Sequence, residues 1–429
     1  MEESLIAEVE NIVVDYYLTS GDFNGISLAN IVQETESDFT GIAELVSIGI
    51  KQDTLRLISS DHEMNPHIIR QGFRSKEVQL NSLRCDNENH TCVYPSQQLL
   101  KNRVPDDFLL NSPFSRKLSF GHGQLEIQFF DIDLLEIYRN DPRYYYECND
   151  IGGRVCIDDE YYKSQTTDEK DKVLLKAFGL AYDDDLNRYV AAFIGDIADL
   201  SPEHQSIWQS KLVDKKLNVH PDFYGAQILN RWPQHISIFD AVLHEQRIIN
   251  SMVEKLGKPK LFKKEFGRYL EDKPKEFAFL LRPTSREYDS FVHLLDKIMS
   301  DNINKKFFKG DIDLEDEIER KDGKTIVTQK GTIVLLDQWL RQFYGAKNWE
   351  PWVFAISVFK NIRKQRQSPA HNVNKNTFDQ SFIEQQRELM RDCCETLMIL
   401  RHALSTHPRC IGQDFDIPKA ILEQKIWTV

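Results

Sequence analysis

The sequence predicts an α+β chain that is predominantly helical, and three observations carry that prediction. Apolar residues recur at helical spacing over long segments near both ends. Residues 125–133, LEIQFFDID, alternate as a half-buried strand does. No internal repeat or low-complexity tract is visible. A chain of 429 residues exceeds one ordinary core, so several domains are expected. The boundaries we read are a small α/β, winged-helix-like module at 1–74 and a β-containing middle domain at 75–167. A helical central region follows at 168–280. A helical C-terminal domain closes the chain at 281–429, with a hairpin insertion at 305–330.

The elements follow in order. Leu5, Ile6, Val9, Ile12, Val13, Tyr16 and Tyr17 give a helix over 5–18 one apolar face, and SGDFNG then breaks it. Short helices are expected over 27–32 and 40–49, and a strand over 53–59. Three helices and a strand loosely resemble a winged helix, which grips nucleic acid. Up to Ser60, however, the only basic residues are Lys51 and Arg56. Nucleic-acid binding needs cations, so an acidic module packed on its neighbours is the preferred reading. Residues 75–162 mix strands with the turn-rich YRNDPRYYY and NDIGGR. Residues 168–200 are read as helical. Ser201 caps a helix with Pro202 in its first turn. A strong helix spans 238–256. Thr284 to Glu287, TSRE, forms a capping box for a helix to about residue 304. Asp322-Gly323 marks a hairpin turn in the acidic 305–330 segment. Three helices are expected over 332–346, 350–366 and 376–405.

Composition narrows the classes. Hydrophobic residues at 41% and aromatics at 11% suffice for packed interiors. A net charge of −13 argues against a general nucleic-acid coat protein. The charge is uneven: residues 331–429 hold 13 Lys and Arg against 10 Asp and Glu, net +3, while the rest holds 41 against 57, net −16. A polyanion would meet the C-terminal part more readily. Seven scattered cysteines, an odd number, suit a reducing compartment. The first thirty residues show no basic start followed by an apolar run, and no stretch approaches the roughly 18 apolar residues that span a bilayer. A cytoplasmic protein without a membrane partner is expected.

The stretch NIRKQRQSPAH, 361–371, carries the most chemistry. It sets Arg366 and His371 apart by four residues where a helix is expected to end at Pro369. An imidazole moves protons near neutral pH, and a guanidinium holds phosphate oxygens in two-point contact. Together they can cleave a phosphodiester without a metal. Arg363 and Lys364 in the same turn can hold flanking phosphates. A purely structural reading stands beside this one: cations at a helix C-terminus answer its dipole, and a loop histidine can simply be solvated. The bare pattern recurs at Arg84 with His90 and at Arg401 with His407, where dipole matching and a proline stop explain the second pair.

Other candidates are weaker. Cys85, His90 and Cys92, with Cys148 or Cys156, lack the close spacing of a zinc knuckle and read as free thiols and a loop histidine. His244-Glu245 lacks the second histidine of a zincin helix. DIDLEDEIER, from Asp311, lacks the glycine and final glutamate of a calcium loop. Asp183 to Asp185 read as a turn or cap. No P-loop, dinucleotide or hydrolase-elbow motif occurs. No cofactor and no metal site are expected.

The C-terminal helices, with R-x4-H at a helix end and a long helix after it, resemble the HEPN superfamily over residues 281–408. RQSPAH, EQQREL and LRHALSTHP also resemble a group of bacterial proteins of unassigned function over most of the chain. The HEPN resemblance implies a helical bundle and a metal-independent endoribonuclease in bacterial anti-phage defence or a toxin system. It implies RNA as substrate and a homodimer or higher homo-oligomer in which two motifs face each other; the charge asymmetry and size of the acidic remainder suggest that it senses a protein trigger or regulator, restrains the nuclease or builds the assembly. The resemblance makes Arg366 the phosphate stabiliser and His371 the proton-transfer residue. Gln367 departs from the small or charged residue common after the arginine and is a candidate for a supporting, RNA-binding role. Some members are inactive, so the alternative is a non-catalytic scaffold whose bundle mediates oligomerisation or partner binding.

Overall fold

The computed structural model describes residues 2–270, 272–319, 325–367 and 375–428. Helices and several small sheets make the chain α+β. It packs as two units, residues 1–147 with 152–230, and residues 148–151 with 231–429. This differs from the four segments read from sequence. Among the described residues no helix is long and apolar enough to cross a membrane.

In the first unit, helices Glu2–Thr19, Leu28–Thr35 and Phe39–Lys51 pack on a three-stranded antiparallel sheet. Ser27 and Asp38 cap the second and third helices through their side-chain oxygens. Thr91–Pro95 is the central strand, between Ile26–Ser27 and Leu55–Ser59. That strand lies beyond residue 74, so the sheet crosses the expected module boundary. Val9, Val13, Ile31, Ile42, Val46, Leu57 and Val93 form its core.

A six-stranded sheet completes this unit. Its path runs Ile127–Asp131, Arg188–Phe193, Leu174–Tyr182, Gly152–Ile157, Tyr144–Cys148, and Asn218–Val219 also pairs with Leu174–Tyr182. The reading of 168–200 as helical is therefore corrected. Leu174–Tyr182 and Arg188–Phe193 form an antiparallel pair, and only Ile194–Ala198 is α-helical. The strands are buried on both faces from Phe178 onward, so period-two alternation is absent from the sequence. Asp183 builds the connecting turn: its Oδ1 accepts from the Asp185 and Asn187 amides and its Oδ2 from the Asn187 side chain.

Against this sheet lies a buried polar chain. Trp208 Nε1 donates to the Tyr138 hydroxyl at 2.8 Å, and that hydroxyl sits 2.9 Å from His204 Nδ1. The hydroxyl thus bridges the indole and the imidazole, and its own proton can go to Nδ1 when the ring is neutral. Burial pushes the His204 pKa down, consistent with this arrangement.

The second unit is a set of packed helices. Ile238–Lys255 lies along Ser381–Ser405, which also packs on Glu350–Gln367. Glu350–Gln367 in turn packs on Ser285–Ile298 and Thr332–Phe343. Helix Ser381–Ser405 thus has an extensive partner before residue 281, the expected start of the helical domain. Arg401 Nε and Glu245 Oε2 join these two helices at 2.7 Å, with the Glu245 side chain fully buried. Residues 148–151 belong here because Ser237 donates to buried Asp150 at 2.7 Å. Thr284 caps its helix by accepting from the Glu287 amide, while the Glu287 carboxylate accepts from the amides of Leu281 and Arg282. Strands Glu315–Glu319 and Thr325–Gln329 form the expected hairpin, and the Asp322-Gly323 turn lies outside the described residues.

Candidate active site

Helix Glu350–Gln367 positions the basic residues of NIRKQRQSPAH. Its buried face is Trp352, Ala355, Ile356, Phe359 and Ile362, a helical stripe that fixes its rotation. Val353, apolar as well, lies off that face and is exposed. Arg363 and Arg366 are three residues apart and share a side of the helix.

That side faces two carboxylates. Arg363 Nε lies 3.1 Å from Asp296 Oδ1, and its Nη2 lies 2.7 Å from Asp301 Oδ1. Arg366 Nη1 lies 2.6 Å from Asp296 Oδ2 and 2.7 Å from Asp301 Oδ2. Two guanidinium and two carboxylate groups thus interlock with no net charge. The Asp296 side chain has no exposure at all, whereas Asp301 is 41% exposed and the arginines about 30%. Their depths assign different roles. Asp296 is a buried anion that requires its cations, and Asp301 is a rim group that solvent partly screens.

The two arginines use their donors differently. Arg363 spends Nε and Nη2, both on carboxylates, rather than pointing them to solvent. Arg366 meets both aspartates through Nη1, and its Nε and Nη2 have no hydrogen-bond partner among the described residues. Among the described residues, one edge of a half-buried, anchored guanidinium is therefore left without a partner. Lys364 and Gln367 are exposed. Tyr288 donates to Gln365 Oε1 at 2.8 Å, a further tie between this turn and helix Ser285–Ile298. His371 lies outside the described residues, as do Ser368 and Pro369.

Asp296 and Asp301 were absent from the sequence reading. A signal existed for the first: Asp296 sits in a helix among Phe291, Val292, Leu295 and Ile298, on the buried face. A carboxylate there needs a partner, although the sequence does not say which.

The other Arg–His pairs separate. Arg84 binds Asp61 and Asp86 at the surface. Arg401 turns inward to Glu245, while His407 Nδ1 accepts from the Arg409 amide. Cys92 is buried with its Sγ 3.4 Å from His67 Nδ1, and Cys85 is exposed. His244 is buried, and burial pushes its pKa down. Among the described residues no three His, Cys, Asp or Glu side chains cluster as metal ligands. No family model, curated protein or solved structure matches this chain.

Proposed function

We propose that the chain is a metal-independent, HEPN-type endoribonuclease serving bacterial defence or a toxin system, with Arg366 and His371 as its reacting pair. The observation that carries this reading is the open Nε–Nη2 edge of Arg366, held steady by Asp296 in the last turn before the segment bearing His371. A guanidinium anchored through one amino group keeps a flat pair of donors for two phosphoryl oxygens. His371 takes the proton from a ribose 2′-hydroxyl, whose oxygen attacks the adjacent phosphorus. The bond to the 5′-oxygen breaks, and that oxygen recovers a proton from an imidazolium, of the same or the partner copy. Arg366 stabilises the charge growing on the phosphoryl oxygens. Lys364 and Gln367, both exposed, flank the path of the strand. Arg363 orients the carboxylates that hold Arg366. The resemblance to HEPN domains supports a helical bundle that acts as a dimer or larger homo-oligomer on RNA.

The neutrality of the Arg363–Arg366–Asp296–Asp301 cluster favours a second reading, a scaffold in which these residues only tie helices together. Expression in bacterial cells separates the two. The ribonuclease reading predicts growth arrest with RNA breakdown for the wild type and normal growth for equally abundant His371→Ala. Equal growth and intact RNA for both would favour the scaffold.

A further inference from the structure

A cleft of about 510 Å³ opens in the first unit, walled by residues 69–73, 95–98 and 121–123, with Asp53, Arg56 and Glu126 at its sides. That volume falls within the range that encloses small organic ligands. Its wall is anchored. Gln124, buried, accepts from the Ile69 amide at 2.8 Å and donates to the carbonyls of Asp22 and Phe23. Phe73 packs edge-on against buried Tyr94 at 5.5 Å between ring centres. These contacts tie the walls to the surrounding fold.

The charges are unequal in their commitments. Asp53 is bound by Arg56 at 2.8 Å and by Lys76 at 2.5 Å. Glu126 is bound by His122 at 3.0 Å. Hydrogen bonds hold both carboxyls below their usual range, from Lys76 foremost for Asp53 and from His122 for Glu126. Arg70 is left over. It lines the cleft half-buried, and no carboxylate or hydrogen-bond acceptor meets it among the described residues. Its Nε is shielded from solvent with no partner. Its Nη1 and Nη2 are not shielded in this way and also have no partner among the described residues, so they are the donors an anion in the cleft would meet. Phe73, only partly buried, lines the same cleft and adds a flat apolar surface.

We infer that this cleft binds a mononucleotide, its phosphate on Arg70 and its base against Phe73. The guanidinium fork matches phosphate oxygens in two-point contact, and an aromatic wall takes any base face without reading its edges. The inference stands on the first unit alone and is independent of the ribonuclease proposal.

Isothermal titration of the full chain with AMP, GMP, adenosine and inorganic phosphate tests it. At least one mononucleotide is expected to bind about tenfold or more tightly than either adenosine or phosphate. Arg70→Gln is expected to weaken that binding about tenfold or more, the scale of a lost charged hydrogen bond. It should leave the melting temperature of the free protein unchanged, since no partner is left unsatisfied. Arg70→Lys should restore part of the loss. Absence of binding by both mononucleotides, phosphate binding as tightly as AMP and GMP, or full affinity in Arg70→Gln would each overturn the assignment.

Discussion

Arg366 and Asp296 meet at 2.6 Å across two helices, the guanidinium half-buried and the carboxylate wholly enclosed. The contact spans 70 positions of sequence and ties the last turn of Glu350–Gln367 to the end of Ser285–Ile298. It makes Arg366 a structural residue whatever else it does, and this shapes how its variants must be read.

Removing both Arg363 and Arg366 leaves Asp296 enclosed without a cation. We expect Arg363→Ala/Arg366→Ala to lose about 3–5 kcal/mol of unfolding free energy. Arg366→Ala alone should lose only about 1–2 kcal/mol, because Arg363 still holds Asp296. Asp301→Ala, at the rim, should cost less than about 1 kcal/mol. Urea titrations of the three variants check this ranking. An equal loss for Asp301→Ala and the double arginine variant would contradict the assigned depths.

The Glu245–Arg401 pair gives a prediction with a pH signature. Burial pushes the Glu245 carboxyl up, and the hydrogen bond from Arg401 opposes that shift. Arg401→Ala removes the opposition, so the folded pKa rises further above the ordinary 4.5. A raised folded pKa means the native state binds more protons than the unfolded chain. Stability is then fully present below 4.5 and declines as pH rises through the folded value. The deficit of Arg401→Ala against wild type should therefore widen from pH 5 to pH 8, reaching about 3–5 kcal/mol. Glu245→Leu/Arg401→Leu should recover most of it. Guanidinium melts across that range decide the matter, and a pH-independent deficit would refute the charge-burial account.

His204 runs the other way. Its Nδ1 lies 2.9 Å from the Tyr138 hydroxyl, and burial depresses its pKa below 6.5. The unfolded chain binds the extra proton first, so stability is complete above 6.5 and falls as pH drops through the lower native value. His204→Gln cannot charge, so it should lose less stability than wild type between pH 7.5 and 5.5. His244, also depressed by burial, should keep a residual slope in that variant. The comparison is of urea midpoints at the two pH values. Identical pH responses for wild type and His204→Gln would show that His204 does not titrate on unfolding.

Sequence patterns expose some of this architecture and hide other parts for physical reasons. Helices Ser285–Ile298 and Glu350–Gln367 each bury one main side, and the 3.6-residue period reads that directly, whereas Ile238–Lys255 is buried around most of its circumference, His244, Glu245 and Gln246 included. The caps Ser201 and Thr284 are equally legible, since each oxygen accepts from an amide three residues on. Strands Leu174–Tyr182 and Arg188–Phe193 are buried on both faces over much of their length, which removes the alternation that betrays a strand. The basic turn at 363–366 is visible in sequence, but its carboxylate partners are not. Asp296 looks like any helical acid until the burial of its neighbours is known. Arg70 is similarly silent, because its distinction is the lack of a partner in a folded cleft.

The most direct measurement of the central claim is the chemistry of the ends left on RNA by the purified full chain in excess EDTA. Attack by the 2′-oxygen predicts 2′,3′-cyclic phosphate and 5′-hydroxyl termini with the wild type. It predicts none above background with His371→Ala, whose melting temperature should match the wild type. Cleavage that requires a divalent metal and leaves 5′-phosphates, or cleavage undiminished in His371→Ala, would contradict it.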